Sequence, residues 1–305
     1  PPFLNAWYLS GPTASGKTEI GLELADRIGA EILSLDSMAV YRGMDIGTAK
    51  PSWEARRRVP HHLIDIVDPT ECYSVSQNVK DAHATAAEVI ARGKIPLFVG
   101  GTPLYLKTLI RGMFLGPEAN WDFRKQIEAD LAEFGIESLR ARLQQVDPLL
   151  AHKLLPGDVR RMTRALEVAF ITGKPLSHWQ SQFERVHSPD ACKLFVLSWE
   201  RSALHTRVNK RVQAMFEKGL VDEVKGLLDR HQELGRTASQ AVGYREVVQH
   251  FQGCQSLTDT IPLVQAHTRQ FVRRQEIWFR SMAEIQRIPM AEGKSMDSIL
   301  DAICS

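Results

Sequence analysis

Residues 6–10, Ala-Trp-Tyr-Leu-Ser, form a short apolar run that ends in a glycine-rich stretch. Residues 19–28 follow, with Ile20, Leu24 and Ile28 spaced for one face of a helix. Glu31-Ile-Leu-Ser-Leu-Asp36 reads as a second strand. Lys94-Ile-Pro-Leu-Phe-Val-Gly-Gly101 reads as a third, after a helix-like stretch at 78–92, and Lys193–Ser198 as a fourth. Strands alternating with helical segments predict an α/β fold, a mostly parallel sheet flanked by helices. The interval between the third and fourth strands is too long for a plain crossover. Residues 119–189 read as wholly helical, with breakers at Asp147-Pro148, Pro156-Gly157, Gly173 and Pro175. This predicts an all-helical insertion, with 1–118 and 190–305 together forming the core. From about residue 201 the chain again reads as helical.

Two helical stretches carry arginine faces. In 158–169, Met162, Ala165, Leu166 and Ala169 share one face, with Arg160 and Arg164 opposite and Arg161 on the flank. In 264–287, Val264, Phe271, Trp278, Met282 and Ile285 form a stripe, and Arg269, Arg273, Arg280 and Arg287 form another about 180° away. Such a face suits contact with nucleic-acid phosphates. It also suits a solvated surface, because Glu276 and Glu284 lie within it at ion-pairing spacing.

Composition adds limits. The chain has 305 residues, 44% hydrophobic and 24% charged, which excludes a disordered or collagen-like chain and leaves ample core. The net charge of +2 hides segregation. The windows 50–62, 153–185, 201–245 and 269–287 are all basic, while the first 49 residues hold three basic and six acidic side chains. Cys72, Cys192, Cys254 and Cys304 lie far apart with no C-x-x-C pair, so free thiols are expected rather than a zinc ribbon. No apolar run reaches a membrane span, and no signal peptide is evident. A soluble cytoplasmic protein is expected, monomeric by default. His61-His62 and the six tryptophans suggest packing roles, most of the tryptophans in the core.

The chemistry starts at Gly11-Pro-Thr13-Ala14-Ser15-Gly16-Lys17-Thr18, which fits G-x-x-x-x-G-K-[ST] between a strand and a helix. Backbone N–H groups of such a loop wrap a phosphate, the lysine neutralises it, and the Thr18 hydroxyl is placed for Mg²⁺. Which phosphate ester binds stays open, a kinase or NTPase included. So does a protein that binds RNA and uses the loop only as a ligand switch. Asp36 ends the second strand, on the edge where open α/β sheets bind ligands. It could hold Mg²⁺ or act as a base. Gly100-Gly101-Thr102-Pro103 places a hydroxyl at the same edge.

GPTASGKT at 11–18, DSMAVYRGMDIGTAKP at 36–51, HHLIDIVDPTECYSV at 61–75, GGTPLYLK at 100–107, RALEV at 164–168, TGKP at 172–175 and VGYRE at 242–246 follow in order. Together they resemble the bacterial tRNA dimethylallyltransferases, from the first strand to RQEIWFR at 274–280. The resemblance implies transfer of a dimethylallyl group from dimethylallyl diphosphate to the exocyclic amine of the adenine 3′ of the tRNA anticodon. It implies Asp36 as proton acceptor, Thr102 beside the bridging oxygen, and Gly11, Thr13–Thr18 and Mg²⁺ around the diphosphate, with Arg211 as a further clamp. It assigns tRNA contacts to Asp36, Ser37, Met38 and Ala39, to Thr102, to Arg160, Arg161, Met162, Thr163 and Arg164, and to Ala241, Val242, Gly243, Tyr244, Arg245 and Glu246. Arg124, Arg273 and Arg280 join that set. Ala39 stands where many members have Gln, and Pro103 where many have Gly. The zinc-finger extension of eukaryotic relatives is absent, so no zinc is expected. The large insertion argues against an adenylate prenyltransferase acting on a free nucleotide. The target base is stacked in the anticodon loop, so a flipped adenine is expected at Asp36.

Overall fold

The computed structural model describes residues 3–114, 116–180 and 186–305. Six strands form one sheet: β1 (Trp7–Ser10), β2 (Ala30–Ser34), β3 (His61–His62), β4 (Ile95–Gly100), β5 (Lys193–Ser198) and β6 (Gln286–Pro289), in the order β3-β2-β4-β1-β5-β6. Every adjoining pair is parallel. The chain divides into two compact units, the sheet unit and a helical unit over 111–186.

In the sheet unit, α1 (Lys17–Ile28), α2 (Trp53–Arg58), α3 (Val75–Ala91) and α4 (Pro103–Arg111) precede the insertion. Both sheet faces are covered, as parallel strands require. Tyr8, Leu33, Phe98 and Val196 pack with α3 and α4. The alternating residues Leu9, Ile32, Leu97 and Leu197 pack with α1 on the other face. Local signals set the helix ends. A capping box of Ser74 and Gln77 starts α3, and Gly29, at φ +68°, ends α1.

The helical unit holds α5 (Trp121–Val146), α6 (Pro148–Lys153), α7 (Val159–Thr172) and α8 (Leu176–Gln180). Ile127, Leu139, Leu143, Leu150, Met162 and Leu166 form its core. Two buried carboxylates organise it. Asp147 caps α6 by accepting from Leu150 N at 3.0 Å and accepts from Ser177 N at 2.8 Å. Glu167 accepts from the Asn120 N–H and from the Arg124 and Arg164 guanidinium groups. The tail of the stretch expected as helix, at 181–185, lies outside the described residues.

Back in the sheet unit, α9 (Arg201–Glu217), α10 (Leu220–His231), α11 (Tyr244–Phe251), α12 (Leu257–Arg280) and α13 (Met296–Cys304) complete the chain. The expected helix over 264–287 stops at Arg280. A turn follows and Arg287 lies on β6, so it leaves the expected arginine stripe. The buried face of α12 is Thr260, Val264, Thr268, Val272, Gln275 and Phe279, while Phe271 is exposed. At 100° per residue, that face is rotated about 60° from the expected stripe. None of the six tryptophans is fully buried, and Trp53 and Trp121 are exposed, against the expectation of a core role. His61 and His62 form the short edge strand β3, where His62 bonds Glu31. No helix among the described residues is long and apolar enough to cross a membrane.

Candidate active site

The carboxyl ends of β2, β4 and β1 are neighbours, and each delivers one part of the site. β1 runs into the phosphate loop, which ends at the N-terminus of α1. Ala14 adopts φ +66°, an uncommon conformation for a residue with a side chain. Two braces hold it there. Trp199 donates from Nε1 to Ser15 O at 2.9 Å, and Arg207, stacked on the Trp199 ring, donates from Nε to Ala14 O at 2.8 Å. With those carbonyls turned onto their braces, the loop is shaped for an anion. Ser15 Oγ is buried and has no partner.

Lys17 Nζ donates to Pro12 O at 3.2 Å. Burial, and to a lesser degree the nearby Arg211, pull its pKa down to about 8, against the opposing pull of Asp36. Arg211 forms no ion pair among the described residues. Its Nε is buried without a partner and its Nη2 makes one long contact, 3.4 Å, with Thr48 O. Burial also depresses the Arg211 pKa. Two desolvated cations without a carboxylate partner are costly unless an anion joins them.

The same site holds an acid. Asp36 Oδ1 accepts from Met38 N at 2.9 Å and Ala39 N at 3.4 Å, which leaves Oδ2 without a hydrogen bond. Thr102 Oγ1 accepts from Ser37 N at 3.1 Å, so its own proton remains free to donate. Thr102 N bonds Leu35 O, which ties β4 to the chain just before Asp36. One pocket gathers these groups: its lining includes the polar Lys17, Thr18, Asp36 and Arg211 and the apolar Ile32, Ala49, Pro51, Ile64 and Val99. An anionic head with an apolar tail matches that lining.

A magnesium ion would be held through oxygen atoms. Thr18 supplies a hydroxyl, and Asp36 stands in the same pocket. Among the described residues no cluster of three or more His, Cys, Asp or Glu side chains offers a protein cage. The donor set therefore fits an ion that takes most ligands from phosphate and water, the usual habit of Mg²⁺.

Sequence reasoning missed the residues that shape this site. Trp199 and Arg207 hold the loop. Gln275 accepts from Thr13 N at 2.9 Å, so the Thr13 N–H is not available to a diphosphate as expected. Glu223, on α10, accepts from the N–H groups of Asp45, Ile46 and Gly47 and from the Tyr244 hydroxyl, and so fixes the turn that lines the pocket at Thr48 and Ala49. Gly47 is obligatory there, because a Cβ would sit 2.3 Å from the Tyr244 ring.

Burial and pairing differ among the expected RNA contacts. Met162, Ala241, Tyr244 and Glu246 are buried, and Gly243 with them. Tyr244 packs on Gly47. Glu246 accepts from the Gly243 N–H, Arg245 and His267. Arg124 and Arg164 are occupied by Glu167, and Arg245 by Glu246. Arg160, Arg161, Arg273 and Arg280 are exposed, as phosphate contacts require, and Thr163 and Val242 are half-buried. Ser37 and Met38 are half-buried beside Asp36, while Ala39 is buried and lines the pocket.

Comparison with known proteins places the chain. The family profile for IPP transferases matches residues 39–282. The tRNA dimethylallyltransferase of Rhodopirellula baltica is 48% identical over 98% of this chain and 92% of its own length. That of Geobacter metallireducens is 44% identical over 97% and 95%. Among solved structures, the full-length tRNA isopentenylpyrophosphate transferase of Bacillus halodurans superposes with a TM-score of 0.71 at 37% identity, covering 98% of this chain and 94% of that one. A eukaryotic dimethylallyltransferase acting on tRNA gives 0.80 at 25% identity, covering 94% and 74%. On this evidence the chain belongs to the IPP transferase family of tRNA dimethylallyltransferases.

Proposed function

We propose that this protein transfers a dimethylallyl group from dimethylallyl diphosphate to the exocyclic amine of the adenine 3′ of the anticodon in tRNA. The observation that carries this reading is the polarity of one pocket at the sheet edge. It gathers two buried cations without an ion pair among the described residues, Lys17 and Arg211, and a carboxylate with a free oxygen, Asp36.

The chemistry follows from that polarity. The phosphate loop, Ser15 Oγ, Lys17 and Arg211 bind the diphosphate and stabilise the charge that grows on it as the C1–O bond breaks. The Thr102 hydroxyl donates to the bridging oxygen. Charge spreads over the allyl carbons, and the adenine nitrogen lone pair forms the new bond to C1. That nitrogen is a weak nucleophile, since its lone pair is delocalised into the ring. Asp36 Oδ2 takes its proton, and diphosphate leaves. Mg²⁺, held by Thr18 and the diphosphate, would supply further charge neutralisation. The exposed arginines Arg160, Arg161, Arg273 and Arg280 suit phosphates of the anticodon stem-loop, and such contacts fix register without reading sequence.

Labelled dimethylallyl diphosphate with unmodified tRNA tests the reading, with ATP and AMP as controls. Label is expected in tRNA, on the adenine beside the anticodon. ATP turnover without label in tRNA would replace this reading with a kinase or NTPase.

A further inference from the structure

Gln275 sits in the middle of α12 and is 3% exposed. A buried carboxamide is costly unless both ends are paired, and both are. Its Oε1 accepts from Thr13 N at 2.9 Å, in the phosphate loop. Its Nε2 donates to Gly101 O at 2.6 Å, at the end of β4. Gly101 leads directly into Thr102, whose Oγ1 accepts from Ser37 N beside Asp36. One line of hydrogen bonds and chain thus runs from the phosphate loop through Gln275 to the proton acceptor. The junction leaves no room for a side chain at 101. A Cβ there would lie 2.9 Å from Gln275 Nε2 and 3.2 Å from Lys17 Nζ. The other brace works differently. Trp199 and Arg207 donate to carbonyls of the loop itself, Ser15 O and Ala14 O.

We propose that Gln275 is a positioning residue for group transfer. It fixes the separation between the diphosphate cradle and the Thr102–Asp36 pair, and so acts on turnover more than on donor affinity. This rests on the prenyl-transfer reading above. Donor affinity comes from the remaining loop N–H groups, Lys17 and Arg211, none of which hydrogen-bonds Gln275 among the described residues. A 1 Å misplacement of leaving group against acceptor costs on the order of 10²-fold in rate.

Gln275→Met keeps the volume and removes both hydrogen bonds. With saturating unmodified tRNA, kcat is expected to fall on the order of 10²-fold, while the Kd for dimethylallyl diphosphate changes by less than about threefold, within ordinary context-dependent scatter. A fall in donor affinity equal to the fall in kcat overturns the proposal, because Gln275 would then only shape the phosphate loop. An unchanged kcat also overturns it. Gln275→Glu decides the matter should the Met variant fold poorly. Its carboxylate still accepts from Thr13 N but donates to Gly101 O only when protonated. Its kcat relative to wild type is expected to rise as pH falls, and a flat ratio across pH sinks the role of the Gly101 bond. Failure of the underlying reading looks different, since wild-type protein would then transfer no label at all.

Discussion

The two compact units use arginine in opposite ways. In the helical unit, Arg124 and Arg164 converge on Glu167, whose side chain is fully buried and also accepts the Asn120 N–H. Burial pushes that carboxyl up, but these partners outweigh it and hold it below the usual range. In the sheet unit, Arg211 is desolvated with its Nε unpaired and no carboxylate in contact. Arg164 and Arg211 both sit in basic stretches of sequence, and both are withdrawn at least in part from solvent. Only one leaves charge unneutralised. A count of basic residues therefore locates neither scaffold nor site. What separates them is whether the protein supplies the counter-charge or leaves it to a ligand.

The contrast can be broken in several ways, beginning with the carboxylate that shares a pocket with Arg211. Asp36→Asn is expected to lower kcat by about 10²–10⁴-fold, the usual contribution of a positioned base, with donor Kd preserved. Equal loss of donor affinity would make Asp36 a metal ligand. Arg211→Met should cost about 10²–10³-fold in kcat, as for loss of one donor to a developing anion, without lowering Tm, since it breaks no ion pair. Glu167→Ala should do the reverse. It leaves two half-buried guanidinium groups and the Asn120 N–H without their acceptor and is expected to cost about 1–3 kcal/mol in denaturant unfolding, with proteolysis concentrated in 111–186 and dimethylallyl diphosphate binding intact. Donor binding lost in parallel would mean that the helical unit supports the pocket.

A smaller effect comes from Lys17, whose pKa is pulled down to about 8. A base with a lowered pKa is neutral in the free protein above that pH, and diphosphate binding must then restore the proton. Donor affinity should fall about tenfold per pH unit above pH 8, and the inflection should vanish in Lys17→Met. The least effect is expected on the surface. Arg273→Ala and Arg280→Ala should each lower the salt dependence of tRNA binding by about one unit of slope. Unchanged slopes would make that face of α12 a solvated surface.

Much of this was legible in the sequence, and the reasons for success and failure are physical. The phosphate loop, Asp36 and Thr102 are local signals, since each sits where a strand ends and a loop must hold polar groups at the sheet edge. β1, β2, β4 and β5 announce themselves as apolar runs. β3 has two residues, too short for any pattern to show, and β6, Gln-Arg-Ile-Pro, has a single buried apolar residue and no apolar run. Gln275 was hidden because buried faces were sought as apolar stripes, while the buried face of α12 includes Thr260, Thr268 and Gln275. Read at helical spacing, Val264, Thr268, Val272, Gln275 and Phe279 would have marked a polar residue on the inner side. Glu167 escaped for the same reason, as the buried counter-charge of a face read only for its arginines.

Strand order has one more consequence. Asp36 follows β2, Thr102 follows β4, and the phosphate loop follows β1, and β4 lies between the other two. Hydrogen-bonded strands are about 4.8 Å apart. The sheet is therefore a ruler with three marks: Asp36, Thr102 and the phosphate loop. Two intervals put roughly 10 Å between the axes of the outer two strands. Any group moving between the outer marks passes the Thr102 hydroxyl on β4, so strand order, and not the order of these residues along the chain, sets the sequence of groups along this edge.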